Sequence, residues 1–242
     1  MPQIRKITGP SRSTMASVTL LLLILCQAHP VSAAEPIPSH IPKEFVDLQV
    51  AITSIDLDVR YFSSDNFIGE PIDGYGAAKV YLSLPAAAAL KLVQSDLTGR
   101  GLGLRVFDGY RPQRAVDHFV RWAHDLTDTT MKPRYYPRVA KENLFRDGYI
   151  AARSGHSRGS TVDVSVVSLE SGEELDMGTP WDFFDLRSWP NSEDVSLSQR
   201  ANRELLRSVM MKHDFRPIEE EWWHFTFQPE LFPSTYFDFE IK

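Results

Sequence analysis

Between Gly159 and Leu169 the chain reads Gly-Ser-Thr-Val-Asp-Val-Ser-Val-Val-Ser-Leu, a β-branched run that opens on a glycine. Its composition and its period of two predict a strand. If residues 160 to 167 are extended, Val162, Val164 and Val166 share one face, and Thr161, Asp163 and Ser165 share the other. The valine face belongs to a core. A segment this apolar is largely buried and takes Asp163 inside with it, and a buried carboxylate is costly unless it is paired or binds a metal. Any fold of this chain must therefore give Asp163 a partner: loop amides, an arginine or an ion.

Two further stretches offer that partner. Ahead of the strand lies Ser154-Gly155-His156-Ser157-Arg158-Gly159-Ser160, a histidine among small residues, in a loop where backbone can approach a ligand closely. Far downstream, Glu219-Glu220-Glu221-Trp222-Trp223-His224-Phe225 supplies a second histidine with a carboxylate three residues before it. Taken singly, His156 reads as a hydrogen-bonded loop histidine, His224 as a core histidine and the three glutamates as a solvated turn. Together, two histidines and an aspartate are a common way to hold a catalytic zinc with its fourth position left to water. A glutamate beside such a site is the usual general base. In a regular strand, residues three apart point to opposite faces. Glu221 must then lie in the turn before the strand of His224, or a bulge must re-aim one of them. His118 and His124 sit six apart, off a common helical face, and with His40 and His213 they read as structural or surface residues.

Composition narrows the class. Arg5, Lys6 and Arg12 precede a mostly apolar run from Ala16 to Ala28, and Val31-Ser32-Ala33-Ala34 offers small residues before Glu35. Residues 1 to 34 thus read as an export signal. The apolar run falls short of the about 20 residues a membrane span needs, so no stable insertion is expected after cleavage. The only cysteine, Cys26, lies in this segment. The mature chain, residues 35 to 242, then makes no disulfide and offers no thiolate, so a metal falls to His, Asp or Glu. Losing three positive charges takes the formal charge from −6 to −9. No basic block marks a nucleic-acid partner. An exported, periplasmic protein is expected.

In chain order, Glu35 to Pro42 reads as an extended leader, Ala51 to Tyr61 as a strand, and Ser64 to Gly76 as a long surface loop able to wall a pocket. A helix from Pro85 ends near Thr98-Gly99, and Leu102 to Phe107 is a strand leading into Asp108-Gly109-Tyr110-Arg111-Pro112. Gln113 to Leu126 and Leu197 to Lys212 are amphipathic helices, with a short helix around Lys141 to Phe145 and a last strand from Trp222 to Phe227. Irregular alternation of this kind predicts an α+β single domain, a mixed or antiparallel sheet flanked by helices, with the zinc site on one sheet face.

The blocks Ser154 to Asp163 and Glu221-Trp222-Trp223-His224 resemble the zinc D-alanyl-D-alanine dipeptidases of the VanX type, within a wider group of zinc D,D-peptidases. Asp58-Val59-Arg60-Tyr61, Asp65-Asn66-Phe67, Asp108 to Pro112 and Asp176 to Asp182 resemble further blocks of the dipeptidase branch, so the likeness spans most of the mature chain. The resemblance implies one zinc per chain, held by His156, Asp163 and His224. It implies Glu221 as catalytic base and Arg111 as the residue that steadies the transition state, and it places Asp182 near the bound dipeptide. Taken alone, Arg111 reads as a carboxylate-pairing arginine, with Asp108 as its partner. A dipeptide has charged ends close together, so Asp182 is the candidate for its ammonium, and Ser154, Ser157 and Arg158 for its carboxylate. Two other readings stand beside this one: a zinc D,D-carboxypeptidase or endopeptidase on longer cell-wall peptides, and a non-catalytic zinc protein that binds peptide. The second would need neither Glu221 nor Arg111.

Overall fold

The computed structural model describes residues 40–242; the expected export segment and most of the proline-rich leader lie outside them. Among the described residues seven strands run in chain order: β1 Phe45–Asp47, β2 Asp56–Leu57, β3 Tyr81–Ser83, β4 Leu102–Asp108, β5 Thr161–Ser168, β6 Phe215–Pro217 and β7 His224–Phe227. The helices are α1 Leu48–Ala51, α2 Leu84–Thr98, α3 Gln113–His124, α4 Lys132–Tyr135 and α5 Leu197–Lys212. Five strands form one sheet in the order β2-β4-β5-β7-β6, with β2 parallel to β4 and every other pair antiparallel. A small antiparallel ribbon pairs β1 with β3. The mixed sheet with its helices is the expected α+β single domain.

The valine-rich segment is the centre of that sheet. Thr161 to Val167 are all buried, on both faces. Val162, Val164 and Val166 join Leu90, Val93 and Leu97 of α2 and Leu206, Val209 and Met210 of α5 in one hydrophobic core. Helix α2 starts with proline in its first turn, a position that needs no amide donor. A capping box between Ser196 and Gln199 starts α5. Among the described residues no helix is long and apolar enough to cross a membrane.

Three expectations need correction. The strand expected over Ala51 to Tyr61 is the end of α1, a two-residue β2, and a 3-10 turn at Arg60–Phe62. Asp56 and Leu57 pair with β4 and the Asp58 amide adds one bond to the Val106 carbonyl, after which the alternating pattern has no ladder to join. The last strand begins at His224, because Trp222 and Trp223 lie in a turn. Around Lys141 the helix is a 3-10 turn, Lys141–Asn143.

Candidate active site

Sheet register assembles the first residues of the site. Asp163 on β5 pairs directly with His224 on β7 and, on its other side, with Asp108 on β4. Directly opposed residues on neighbouring strands share a face, so the three side chains form a row across the sheet. The alignment depends on an irregularity: Val106 faces Val164, yet Asp108 faces Asp163. An unshifted ladder would set Phe107 opposite Asp163. One extra residue in β4 therefore exchanges a phenylalanine for an aspartate in the row, the usual consequence of a bulge.

His156 arrives on a single 3-10 turn, Gly155–Arg158. The Ser154 side chain accepts from the His156 amide, and Gly159 ends the turn at φ 80°. A Cβ on Gly159 would lie 2.2 Å from the Phe45 ring. The small residues here are thus a packing requirement of a buried turn more than a source of freedom. The His156 Nδ1–H donates to the Gly109 carbonyl at 2.7 Å, which turns Nε2 toward Asp163 and His224. At Gly109 a Cβ would meet Val80 at 2.5 Å, so only glycine lets that carbonyl sit where it does.

Glu221 lies in the turn ahead of β7, which resolves its spacing from His224: Glu221 Oε2 approaches His224 Nδ1 at 3.5 Å. Arg111 follows β4 by three residues. Its Nε donates to Asp108 Oδ2 at 2.9 Å, Nη2 lies 3.6 Å from Asp163 Oδ2, and the guanidinium sits over the rings of Tyr61 and Phe119. Asp182 is buried at φ 58°, a left-handed conformation that aspartate tolerates better than most residues. Its Oδ2 accepts from the Tyr61 hydroxyl at 2.6 Å. The preceding Trp181 donates its indole N–H to Asp163 Oδ2 at 3.2 Å.

His156, Asp163, His224, Glu221, Arg111, Asp182 and Ser154 all line one cleft of about 190 Å³. Ser157 and Arg158 do not line it. Ser157 is buried beneath the turn, and Arg158 is bound to Glu230 through two hydrogen bonds of 2.7 and 2.8 Å. Tyr61, Tyr149, Arg153 and Phe184 line the cleft without having been singled out in the sequence. For Tyr61 and Arg153 the signal was adjacency to the blocks already noted; nothing in the sequence marks Phe184. His118 and His213 pair with Glu70 and Asp96, and neither lines this cleft.

The electrostatics are those of crowded carboxylates. Burial, and then the charge on Asp163, push the Glu221 carboxyl up to about 8. Burial and the same charge raise Asp182 well above the ordinary range, with the Tyr61 hydrogen bond opposing. Asp163 goes the other way. Burial disfavours its ionised form, but the neighbouring imidazoles of His156 and His224 outweigh that and hold it far below the usual range.

This donor set fits a metal ion. His156 Nε2 and His224 Nδ1 lie 3.2 Å apart, and each stands 3.2 and 3.1 Å respectively from Asp163 Oδ1. Zinc bonds of about 2.0–2.2 Å give tetrahedral ligand–ligand edges of roughly 3.3–3.6 Å, close to these separations. Asp163 Oδ1 is fully buried and has no hydrogen-bond partner, an orphan atom that a cation would satisfy. The three residues are a possible metal site.

The chain is 42% identical to a D-alanyl-D-alanine dipeptidase of Streptomyces coelicolor over 198 residues, covering 82% of this chain and 98% of that protein. It is 38% identical to a dipeptidase of the same name from Enterococcus faecalis over the same shares. Another from Escherichia coli is 32% identical, covering 75% of this chain and 83% of its relative. The Peptidase_M15 family profile, described as D-ala-D-ala dipeptidase, matches residues 42–242. By profile match and by similarity over most of its length, the chain belongs to this family of peptidases.

Proposed function

We propose that this peptidase hydrolyses the dipeptide D-Ala-D-Ala to two molecules of D-Ala, with zinc held by His156, Asp163 and His224 and with Glu221 as general base. The observation that carries the reading is the convergence, in one small cleft, of the three possible ligands with Glu221, Arg111 and Asp182. A bound zinc would polarise the scissile carbonyl and lower the pKa of a water from about 15.7 toward 7. The chain's own groups do the rest. Glu221 accepts a proton from the attacking water and delivers it to the leaving amine. Its carboxyl, held high by burial and by Asp163, would ionise more readily beside a dication. Arg111, always protonated, aims a fork of donors at the developing oxyanion. Asp108 and the faces of Tyr61 and Phe119 fix that fork before substrate arrives.

Asp182 takes the substrate ammonium. Its carboxylate is disfavoured by burial and by Asp163, and an ammonium supplies the charge that offsets both. A cleft of about 190 Å³ favours a dipeptide over a longer chain. The residues before 35 support export, so the reaction would take place outside the cytoplasm, in the periplasm. Fractionation of the native host should find the enzyme there, shortened at its N-terminus.

Incubating purified protein plus zinc with D-Ala-D-Ala, L-Ala-L-Ala and a pentapeptide ending in D-Ala-D-Ala tests the reading. Rapid release of D-Ala is expected from the first, with negligible cleavage of the pentapeptide. Comparable turnover of the pentapeptide would replace the dipeptidase with a D,D-carboxypeptidase. Zinc binding without any turnover would leave a peptide-binding protein.

A further inference from the structure

We propose that Arg153 anchors the free carboxylate of the substrate, and that Glu230, Arg158 and Tyr236 hold it in position to do so. The inference rests on the dipeptidase reading and assigns one end of the substrate to a residue at the rim of the cleft.

A dipeptide enters as a zwitterion. The cleft supplies carboxylates in Asp163, Asp182 and Glu221, and two guanidinium groups, Arg111 and Arg153. Arg111 is already engaged by Asp108 and Asp163. Arg153 pairs with no carboxylate among the described residues; its cationic head lies 4.8 Å from the centre of the Tyr236 ring. It is exposed, so its charge stays hydrated at the cleft mouth until an anion displaces that water. Only one residue separates the scissile carbonyl of a dipeptide from its terminal carboxylate, a Cα step of about 3.8 Å. Arg153 precedes the buried His156 by only three residues and lines the same cleft, which puts a cation at the exposed end of the stretch that carries the imidazole. Ser154, the neighbouring polar candidate, accepts from the His156 amide and keeps its own O–H to donate, so it can add a neutral donor beside the Arg153 charge.

The support behind Arg153 is fixed. Tyr236 contacts two arginines, with Arg158 5.5 Å from its centre and donating to its hydroxyl at 3.3 Å. Glu230 grips Arg158 through both oxygens. Arg158 therefore acts as a strut: Glu230 locks it, it orients Tyr236, and Tyr236 gives the Arg153 guanidinium a flat surface to rest on. Such a platform reduces the freedom an arginine loses on binding, the usual benefit of preorganisation.

The test compares wild type, Arg153→Gln, Arg153→Lys and Tyr236→Ala on D-Ala-D-Ala and on its C-terminal amide, the amide measured as substrate or as a competitor. Arg153→Gln should raise KM for the acid about 10- to 100-fold. Its kcat should change far less, because the contact exists before and during reaction. Arg153→Lys should recover part of the loss, and Tyr236→Ala should raise KM for the acid by a smaller factor than Arg153→Gln. On the amide, wild type and Arg153→Gln should bind alike. An unchanged KM for the acid, or an equal loss on acid and amide, would overturn the assignment. A wild-type enzyme that released no D-Ala at all would instead overturn the dipeptidase reading, and the role of Arg153 with it.

Discussion

Asp163 sits at the centre of the cleft, and its two oxygens have separate surroundings. Oδ2 takes the Trp181 indole and faces Arg111, while Oδ1 is left bare between two imidazoles. Its negative charge also helps to hold the Glu221 carboxyl up at about 8. If Glu221 is the base, Glu221→Gln keeps shape and hydrogen bonding but cannot take a proton at neutral pH. Turnover should then fall by about 10²–10⁴-fold, while zinc content, read by elemental analysis, stays at one per chain. Loss of zinc in that variant would make Glu221 a ligand; wild-type activity would pass the role of base to Glu219 or Glu220. Arg111→Lys should also cost turnover with zinc retained, because a point charge cannot reproduce the planar fork that Asp108 and Tyr61 hold in place. The sequence could single out His156, Asp163, His224 and Glu221 because their types suit a metal site, and Arg111 through the family resemblance; the fold brings all five to one cleft. The sequence could not place Arg158, whose direction depends on Glu230, 72 residues away.

At the scale of elements, the site is made by what interrupts regular structure. The β4 irregularity brings Asp108 level with Asp163, the turn before β7 brings Glu221 beside His224, and the 3-10 turn at Gly155–Arg158 delivers His156. Strand β5 and helices α2 and α5 were legible because their patterns are long, and α2 also carries a proline in its first turn. The strands β1, β3 and β6 were not, since three residues carry too little periodicity to read, and their partners lie far along the chain. Nor was the β4 bulge, which is a property of two strands in register and of neither alone. Gly159 gives a test at this scale. Its φ of 80° penalises any side chain by roughly 1–2 kcal/mol, and the Phe45 ring leaves no room for a Cβ. Gly159→Ala should lower the melting temperature by at least about 2–8 °C. It should also weaken zinc binding, because the turn it ends carries His156. A variant as stable as wild type would mean that the turn relaxes without cost.

Across the whole molecule, the possible ligands come from parts of the chain that only folding unites: a turn at residue 156, the central strand at 163, and an adjoining strand at 224. An unfolded chain offers no such cluster, so zinc binding should be coupled to folding, and metal affinity should appear as stability. A ligand that binds only the native state adds about 2.7 kcal/mol when its free concentration is a hundred times its dissociation constant. For a domain of this size that corresponds to a rise in melting temperature of roughly 5–10 °C. Chelator-treated protein should therefore melt lower than the same protein refilled with zinc. Asp163→Asn separates this effect from generic ion binding. The amide preserves the side chain's shape but removes the negative ligand, and it faces Arg111 and two imidazoles whose proximity favours a carboxylate. Its melting temperature should no longer respond to zinc, and its zinc content should fall well below one per chain. An unaltered zinc-dependent rise in Asp163→Asn would show that the metal binds elsewhere. Asp163 would then be a buried charge satisfied by Trp181, Arg111 and the histidines alone.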